Sequence, residues 1–265
     1  MPTIELPDLS LYYERSGSGQ RLLFLNGSGA TLESSALLLQ VFTARFDVAA
    51  HDQRGLGRTS IPPGPFTMAQ YAADALALLD HLDWETCRVV GVSFGGMVAQ
   101  ELACTRPDRV ERLALACTSP GGAGGSSYPL HELAQLDPAA RAALGATLLD
   151  TRFTPEWLAS HPSDERLAAG MAAHFGDRTA EQERGAAAQL QARRHHDVTD
   201  RLGAISCPTL VACGRYDGIA PPANSEAIAA RVPHAELRTY EGGHAFFAQD
   251  PLALPEILDF LDEVS

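Results

Sequence analysis

The chain has 265 residues, 45% hydrophobic and 20% charged, the proportions of an ordinary globular protein with one domain or a domain and a subdomain. Its 20 basic against 33 acidic residues give a net charge of −13, which repels phosphate backbones and anionic membranes and argues against both as partners. Every one of those basic residues is Arg, so a Schiff-base lysine, a pyridoxal-phosphate lysine and a Walker-A phosphate loop are all excluded.

The first residues carry neither a basic region nor an apolar run, and no stretch approaches the roughly 18 apolar residues of a membrane span, so a cytoplasmic, membrane-free protein is expected. Residues 6–15 alternate apolar and polar around Pro7 and Asp8, predicting an antiparallel hairpin at a sheet edge. Short apolar runs then predict strands at 21–25, 46–50, 88–92, 110–116, 209–213 and 235–240. Spacing near 3.6 predicts helices at 34–44, 67–82, 95–105, 222–232 and 252–263, with Thr67 as an N-cap. Strand and helix in alternation mean an α/β chain with a mostly parallel, doubly wound sheet. Five cysteines are an odd number with no C-x-x-C among them, and are read as small core residues.

The alternation stops between residues 120 and 204, where a glycine-rich exit at 120–127 leads into an Ala- and Arg-rich helical stretch broken at Pro138, Pro155 and Pro162. This stretch is expected to be an inserted helical cap, with 1–119 and 205–265 forming the core domain. Within it, adjacent His195, His196 and Asp197 face different sides of a helix and are expected to be solvated surface rather than metal ligands.

Gly91-Val92-Ser93-Phe94-Gly95 follows one predicted strand and opens the next predicted helix. G-x-S-x-G in that setting is a nucleophile on a sharp strand-to-helix turn, where small residues two positions either side let strand and helix approach. A serine nucleophile needs a base, and the base an orienting acid. Asp217 and His244 each follow a later predicted strand, at the end where open parallel sheets place their sites, with Asp197 and Asp200 as weaker substitutes for the acid. An oxyanion needs fixed donors, and the expected pair is the amides of Phe94 and Ser28, the latter on the turn 26–30, where Gly27 or Gly29 is an alternative. No Gly-rich segment completes G-x-G-x-x-G, so neither a dinucleotide nor any other cofactor, nor a metal, is expected.

Together with Asp52-Gln53-Arg54-Gly55-Leu56-Gly57-Arg58-Thr59, which is similar to a D-x-R-G-x-G-x-S segment with Thr59 for the usual Ser, these motifs resemble the α/β-hydrolase fold. The stretches 214–228 and 241–251 most resemble the bacterial group of 3-oxoadipate enol-lactonases and cofactor-free haloperoxidases. The resemblance departs at Asn26-Gly27, where His-Gly is common. It implies a serine hydrolase of a small-molecule ester or lactone. Carbon–carbon bond hydrolases of ring-cleavage products and slow-turnover ligand receptors share the fold and stay open as alternatives; dehalogenases and epoxide hydrolases would need an aspartate at Ser93. Among Tyr128, Phe153, Trp157, His174, Phe175, Phe246 and Phe247, an apolar substrate pocket is expected to use Trp157 and Phe246.

Overall fold

The computed structural model describes residues 2–174 and 179–263. Eight strands form one sheet: β1 (Thr3–Glu5), β2 (Ser10–Gly17), β3 (Gln20–Leu25), β4 (Phe46–His51), β5 (Cys87–Val92), β6 (Val110–Ala116), β7 (Thr209–Gly214) and β8 (Ala235–Tyr240). Their spatial order is β1-β2-β4-β3-β5-β6-β7-β8. The hairpin β1-β2 is antiparallel and β2 pairs antiparallel with β4, while β3 to β8 are parallel.

Six helices pack on this sheet: α1 (Ala36–Thr43), α2 (Met68–His81), α3 (Phe94–Thr105), α8 (Pro222–Ala229), a single turn α9 (Phe246–Gln249) and α10 (Ala253–Asp262). Four more, α4 (Pro138–Leu149), α5 (Pro155–Ser160), α6 (Pro162–His174) and α7 (Ala180–Arg194), lie in the insertion between β6 and β7. Successive strand residues go to opposite faces. Leu23, Leu25, Leu113, Leu115 and Val211 join α2 and α3 in one core cluster, while Leu22, Phe24, Ala114, Ala116 and Leu210 join Phe42 and the α10 residues Ile257 and Leu261 in the other. Burial on both faces is why these strands read as continuous apolar runs rather than as alternating ones.

Thr67 caps α2 through a capping box with Gln70, as its sequence position predicts. Pro138, Pro155 and Pro162 stand in the first turn of α4, α5 and α6, where a missing N–H costs nothing, so the prolines that break the helical pattern also start its pieces. The glycine-rich exit is not loose: Gly121 forms a β-bridge with Asp197, tying the start of the insertion to its end. His196 also departs from expectation, being buried at 4% exposure, and desolvation holds its imidazole down at about 4, so it is neutral; His195 and Asp197 are exposed.

The segment after β4 braces the sheet. Arg54, buried, grips Asp74 of α2 with Nε and Nη2 at 2.9 and 2.8 Å. Burial pushes the Asp74 carboxyl up even against that guanidinium, so desolvation outweighs pairing there. Asp52 accepts the backbone N–H groups of Leu32 and Arg58, and Thr59 donates to the Asp52 carbonyl at 2.6 Å while accepting the Tyr12 N–H. A threonine hydroxyl does there what a serine hydroxyl can do.

Candidate active site

The register of the parallel strands brings Leu25, Val92, Ala116 and Gly214 to one edge of the sheet, and the loops leaving that edge carry the residues singled out above. Ser93 joins β5 to α3 with φ 55° and ψ −113°, a strained conformation for a residue with a side chain. The turn exists because its neighbours are glycines. A Cβ on Gly91 would come within 2.5 Å of the Gly95 carbonyl oxygen, and one on Gly95 within 2.0 Å of the Leu25 carbonyl oxygen.

Asp217, three residues past β7, and His244, four past β8, meet Ser93 in a hydrogen-bonded line. His244 Nε2 lies 2.9 Å from Ser93 Oγ, and His244 Nδ1 lies 2.8 Å from Asp217 Oδ2. A carboxylate only accepts, so Nδ1 carries the proton and Nε2 is left as the acceptor for the serine hydroxyl. Asp217 is itself oriented by the N–H groups of Ile219 and Ala220, both 2.8 Å from Oδ1. All three residues are nearly buried, at 8%, 3% and 8% exposure for Ser93, Asp217 and His244, so the line runs in a largely water-excluded place.

Beside it the amides of Phe94, Ser28 and Gly27 stand free, with no acceptor among the described residues. The Phe94 amide opens α3, whose N-terminal dipole favours negative charge at Ser93. On the other turn, a Cβ on Gly27 would lie 3.6 Å from the Ser93 Cβ, which sets the closeness of approach. The Gly29 amide is occupied, since it donates to Gln189 Oε1 at 2.8 Å. Gln189 Nε2 donates to Gln53 Oε1, and Gln53 Nε2 to the Asn26 carbonyl at 2.6 Å. A fully buried glutamine of α7 thus fixes the turn that carries Ser28. Gln189→Leu, which keeps volume and removes both bonds, is expected to lower kcat about 10- to 100-fold with KM changed little, because a misplaced donor is costly only where charge develops. Steady-state kinetics on any turned-over ester reads this; an unchanged kcat would show that the turn holds itself.

The insertion also reaches the other two loops. The Leu149 carbonyl accepts the His244 N–H at 2.6 Å, the Leu148 carbonyl accepts the Gly218 N–H, and Thr151 N–H donates to the Tyr216 carbonyl. Asp150, fully buried, accepts from Arg152 and from Gln249 Nε2, and Gln249 Oε1 accepts the Gly243 N–H beside His244. The contacts that Leu148, Leu149, Asp150 and Thr151 make with these loops carry no sequence signal, because each is a single residue far along the chain from what it touches.

Of the two expected pocket residues, Phe246 is closed off from any cavity, while Trp157 is half-buried beside the His244 loop. Phe246 is fully buried, stacked on Tyr240 with ring centroids 5.2 Å apart, and exposes no surface to any cavity. Trp157, half-buried, stacks on His161 at 3.8 Å, has the Arg152 guanidinium 5.1 Å from its ring, donates from Nε1 to Asp164, and packs against the cluster of Leu149, Phe153 and Ala245. Both were read as pocket walls because large aromatics near a catalytic histidine carry no mark of which way they turn. Phe175 and the side chain of His174 lie outside the described residues.

Residues 20–251 match the family described as the alpha/beta hydrolase fold, and the chain belongs to that family. It is 30% identical over 255 residues to 3-oxoadipate enol-lactonase 2 of Acinetobacter baylyi, covering 95% of this chain and 92% of the relative. A poly(3-hydroxyalkanoate) depolymerase of Ectopseudomonas oleovorans is also 30% identical, over 91% of this chain and 84% of its own. Among solved structures, a hydrolase from Pseudomonas aeruginosa superposes with a TM-score of 0.78 at 32% identity, covering 99% and 98% of the two chains. No helix among the described residues is long and apolar enough to cross a membrane.

Proposed function

We propose that the protein is a serine hydrolase that cleaves a carboxylic ester or lactone of a small molecule through an acyl-enzyme, with Ser93, His244 and Asp217 as its catalytic triad and residues 120–204 as a cap over the site. The observation that carries this reading is the line Ser93 Oγ, His244 Nε2 and Nδ1, Asp217 Oδ2, closed by contacts of 2.9 and 2.8 Å. Ser93 Oγ attacks the carbonyl while His244 Nε2 takes its proton, and Asp217 steadies the imidazolium that forms. The oxyanion develops between the Phe94 and Ser28 amides, which need no reorganisation to receive it. His244 then returns the proton to the departing alkoxide oxygen, and water, activated by the same imidazole, releases the acid. Relatives named as an enol-lactonase and a polyester depolymerase support an ester or lactone carbonyl as the target.

A fluorophosphonate reagent tests the assignment directly. The adduct is expected on Ser93 by peptide mass spectrometry, together with turnover of p-nitrophenyl acetate at roughly 1 s⁻¹ or faster, the ordinary range for enzymes. Adduct on a different residue would overturn the nucleophile, and labelling without turnover would favour a slow receptor on the same fold.

A further inference from the structure

Ser93 and Phe94 share one peptide unit: its carbonyl belongs to Ser93, and its N–H is the Phe94 amide that stands free beside the nucleophile. Whatever fixes the carbonyl end of a planar peptide also fixes where its N–H points. Three donors reach that carbonyl. The Gly96 and Met97 N–H groups, at 2.9 and 3.3 Å, are the ordinary bonds of the first turn of α3. The third is the Thr118 hydroxyl, which donates at 2.7 Å from the loop that leaves β6.

The surroundings are shaped to admit that hydroxyl. Cys117, at φ 44°, lies in the left-handed region that residues with a side chain seldom adopt, and this strained residue is where the chain turns off β6. Gly96, the glycine that follows the G-x-S-x-G motif, leaves the space: a Cβ there would come within 2.6 Å of the Thr118 Cβ and 2.7 Å of its Oγ1. Gln100, one turn further along α3 and fully buried, donates from Nε2 to the Gly96 carbonyl at 3.0 Å and to the Ser119 carbonyl at 3.2 Å, which ties the helix to the residue after Thr118. Thr118 is itself buried, at 1% exposure, so the bond it donates is shielded from bulk water.

A hydroxyl placed this way acts on both ends of the peptide. Hydrogen bonds in a chain polarise one another, so a bond accepted at the Ser93 carbonyl makes the Phe94 N–H a better donor to whatever faces it. Helix ends also fray, and a bond from a second element holds the first turn of α3 when the bonds within it loosen.

We propose that Thr118 is a positioning residue of the oxyanion hole, acting through the Ser93–Phe94 peptide to aim and strengthen the Phe94 N–H. This role rests on the hydrolase reading above and gives the Phe94 donor a brace from β6, the counterpart of the one that Gln189 supplies to the Ser28 turn.

Two esters that differ in one atom test it: p-nitrophenyl acetate and its thiono analogue, in which sulfur replaces the carbonyl oxygen. Sulfur accepts hydrogen bonds weakly, so the preference for the oxygen ester reports how well the oxyanion donors are aimed. Thr118→Val keeps the shape of the side chain and removes the hydroxyl. Its kcat on the oxygen ester is expected to fall about tenfold with KM changed little, less than the roughly 10²- to 10³-fold that loss of a whole oxyanion donor costs. Its oxygen-over-sulfur ratio in kcat/KM is expected to be at least about fivefold smaller than the native one, and Thr118→Ser, which restores the hydroxyl, to return both quantities to within about twofold. A kcat within about twofold of native in Thr118→Val, or equal losses on the two esters, would overturn the role, since a hydroxyl that only held the fold or Ser93 Oγ would cost both esters alike. Should that variant fail to fold, Thr118→Cys is read in the same way, its thiol being a weak donor. Should the native protein turn over the thionoester too slowly to measure, trifluoroacetone decides: its hemiketal oxyanion is expected to form at least about fivefold less tightly in the variant while inhibition by acetate is unchanged, and equal inhibition by the ketone would end the proposal. Phosphonate labelling separates the two failures. Labelled Ser93 with equal losses removes the role of Thr118 alone, whereas unlabelled Ser93 and no turnover of either ester by the native protein removes the hydrolase reading and this role with it.

Discussion

Ser93→Ala is expected to lower kcat by at least about 10³-fold and as much as about 10⁶-fold, because the three groups act as one unit and none of the others can replace the attacking oxygen. The side chain removed makes one hydrogen bond, to His244 Nε2, and the backbone around it is set by Gly91, Gly95 and the Ser93 N–H bond to the Ala116 carbonyl, all of which remain. The variant should therefore fold with a melting temperature close to the native one, and KM should change little. What activity survives over water comes from the Phe94 and Ser28 amides and from binding. Residual kcat within threefold of the native value, in protein shown free of native contaminant, would mean that another group attacks.

Asp217→Asn is expected to cost about 10⁴-fold in kcat while leaving the shape of the site intact. The reason lies in which atoms can still pair. The amide oxygen is best used where Oδ1 now accepts the Ile219 and Ala220 N–H groups, which turns the amide NH₂ toward His244 Nδ1. Two donors cannot face each other, so the imidazole must carry its proton on Nε2 instead. In that tautomer Nε2 has no lone pair for the Ser93 proton, and the base is lost although every atom is close to its place. The expected signature is a collapsed kcat with nearly native thermal stability. A loss smaller than tenfold would show that Asp217 does not govern the tautomer.

Much of the frame was legible because its signals are local. A strand buried on both faces reads as an apolar run, and 110–116 matches β6; 235–240 matches β8, an edge strand that is only partly buried. The four-residue α9 is too short to leave a helical period. Ser93 was legible from glycines whose added Cβ atoms would strike backbone, and Asp217 and His244 from their places just past strand ends. That the Gly29 amide is spent was not legible, since what occupies it is Gln189, 160 residues away. Which way the rings of Trp157 and Phe246 turn was not legible either, because stacking on His161 and on Tyr240, four and six residues away, is only one of the packings that the same local sequence permits. Arg193 was invisible too. In a chain whose cations are all arginine, composition gives no hint that one guanidinium is buried with two of its three nitrogens unpaired among the described residues.

The end of α4 is hydrogen-bonded to the loops of both Asp217 and His244 through Leu148 and Leu149, with Thr151 and Asp150 adding to the same seam. The insertion and the loops that carry Asp217 and His244 are therefore stitched into one piece. Transplanting the whole of 120–204 between relatives would carry part of the catalytic frame along with the specificity, and such chimeras should lose turnover on every substrate alike. Changes in preference are better sought as point substitutions in the insertion away from this seam and away from Gln189, which holds the turn of Ser28. For a lineage of enzymes this makes the seam at α4, together with Gln189 of α7, the conservative part of the insertion.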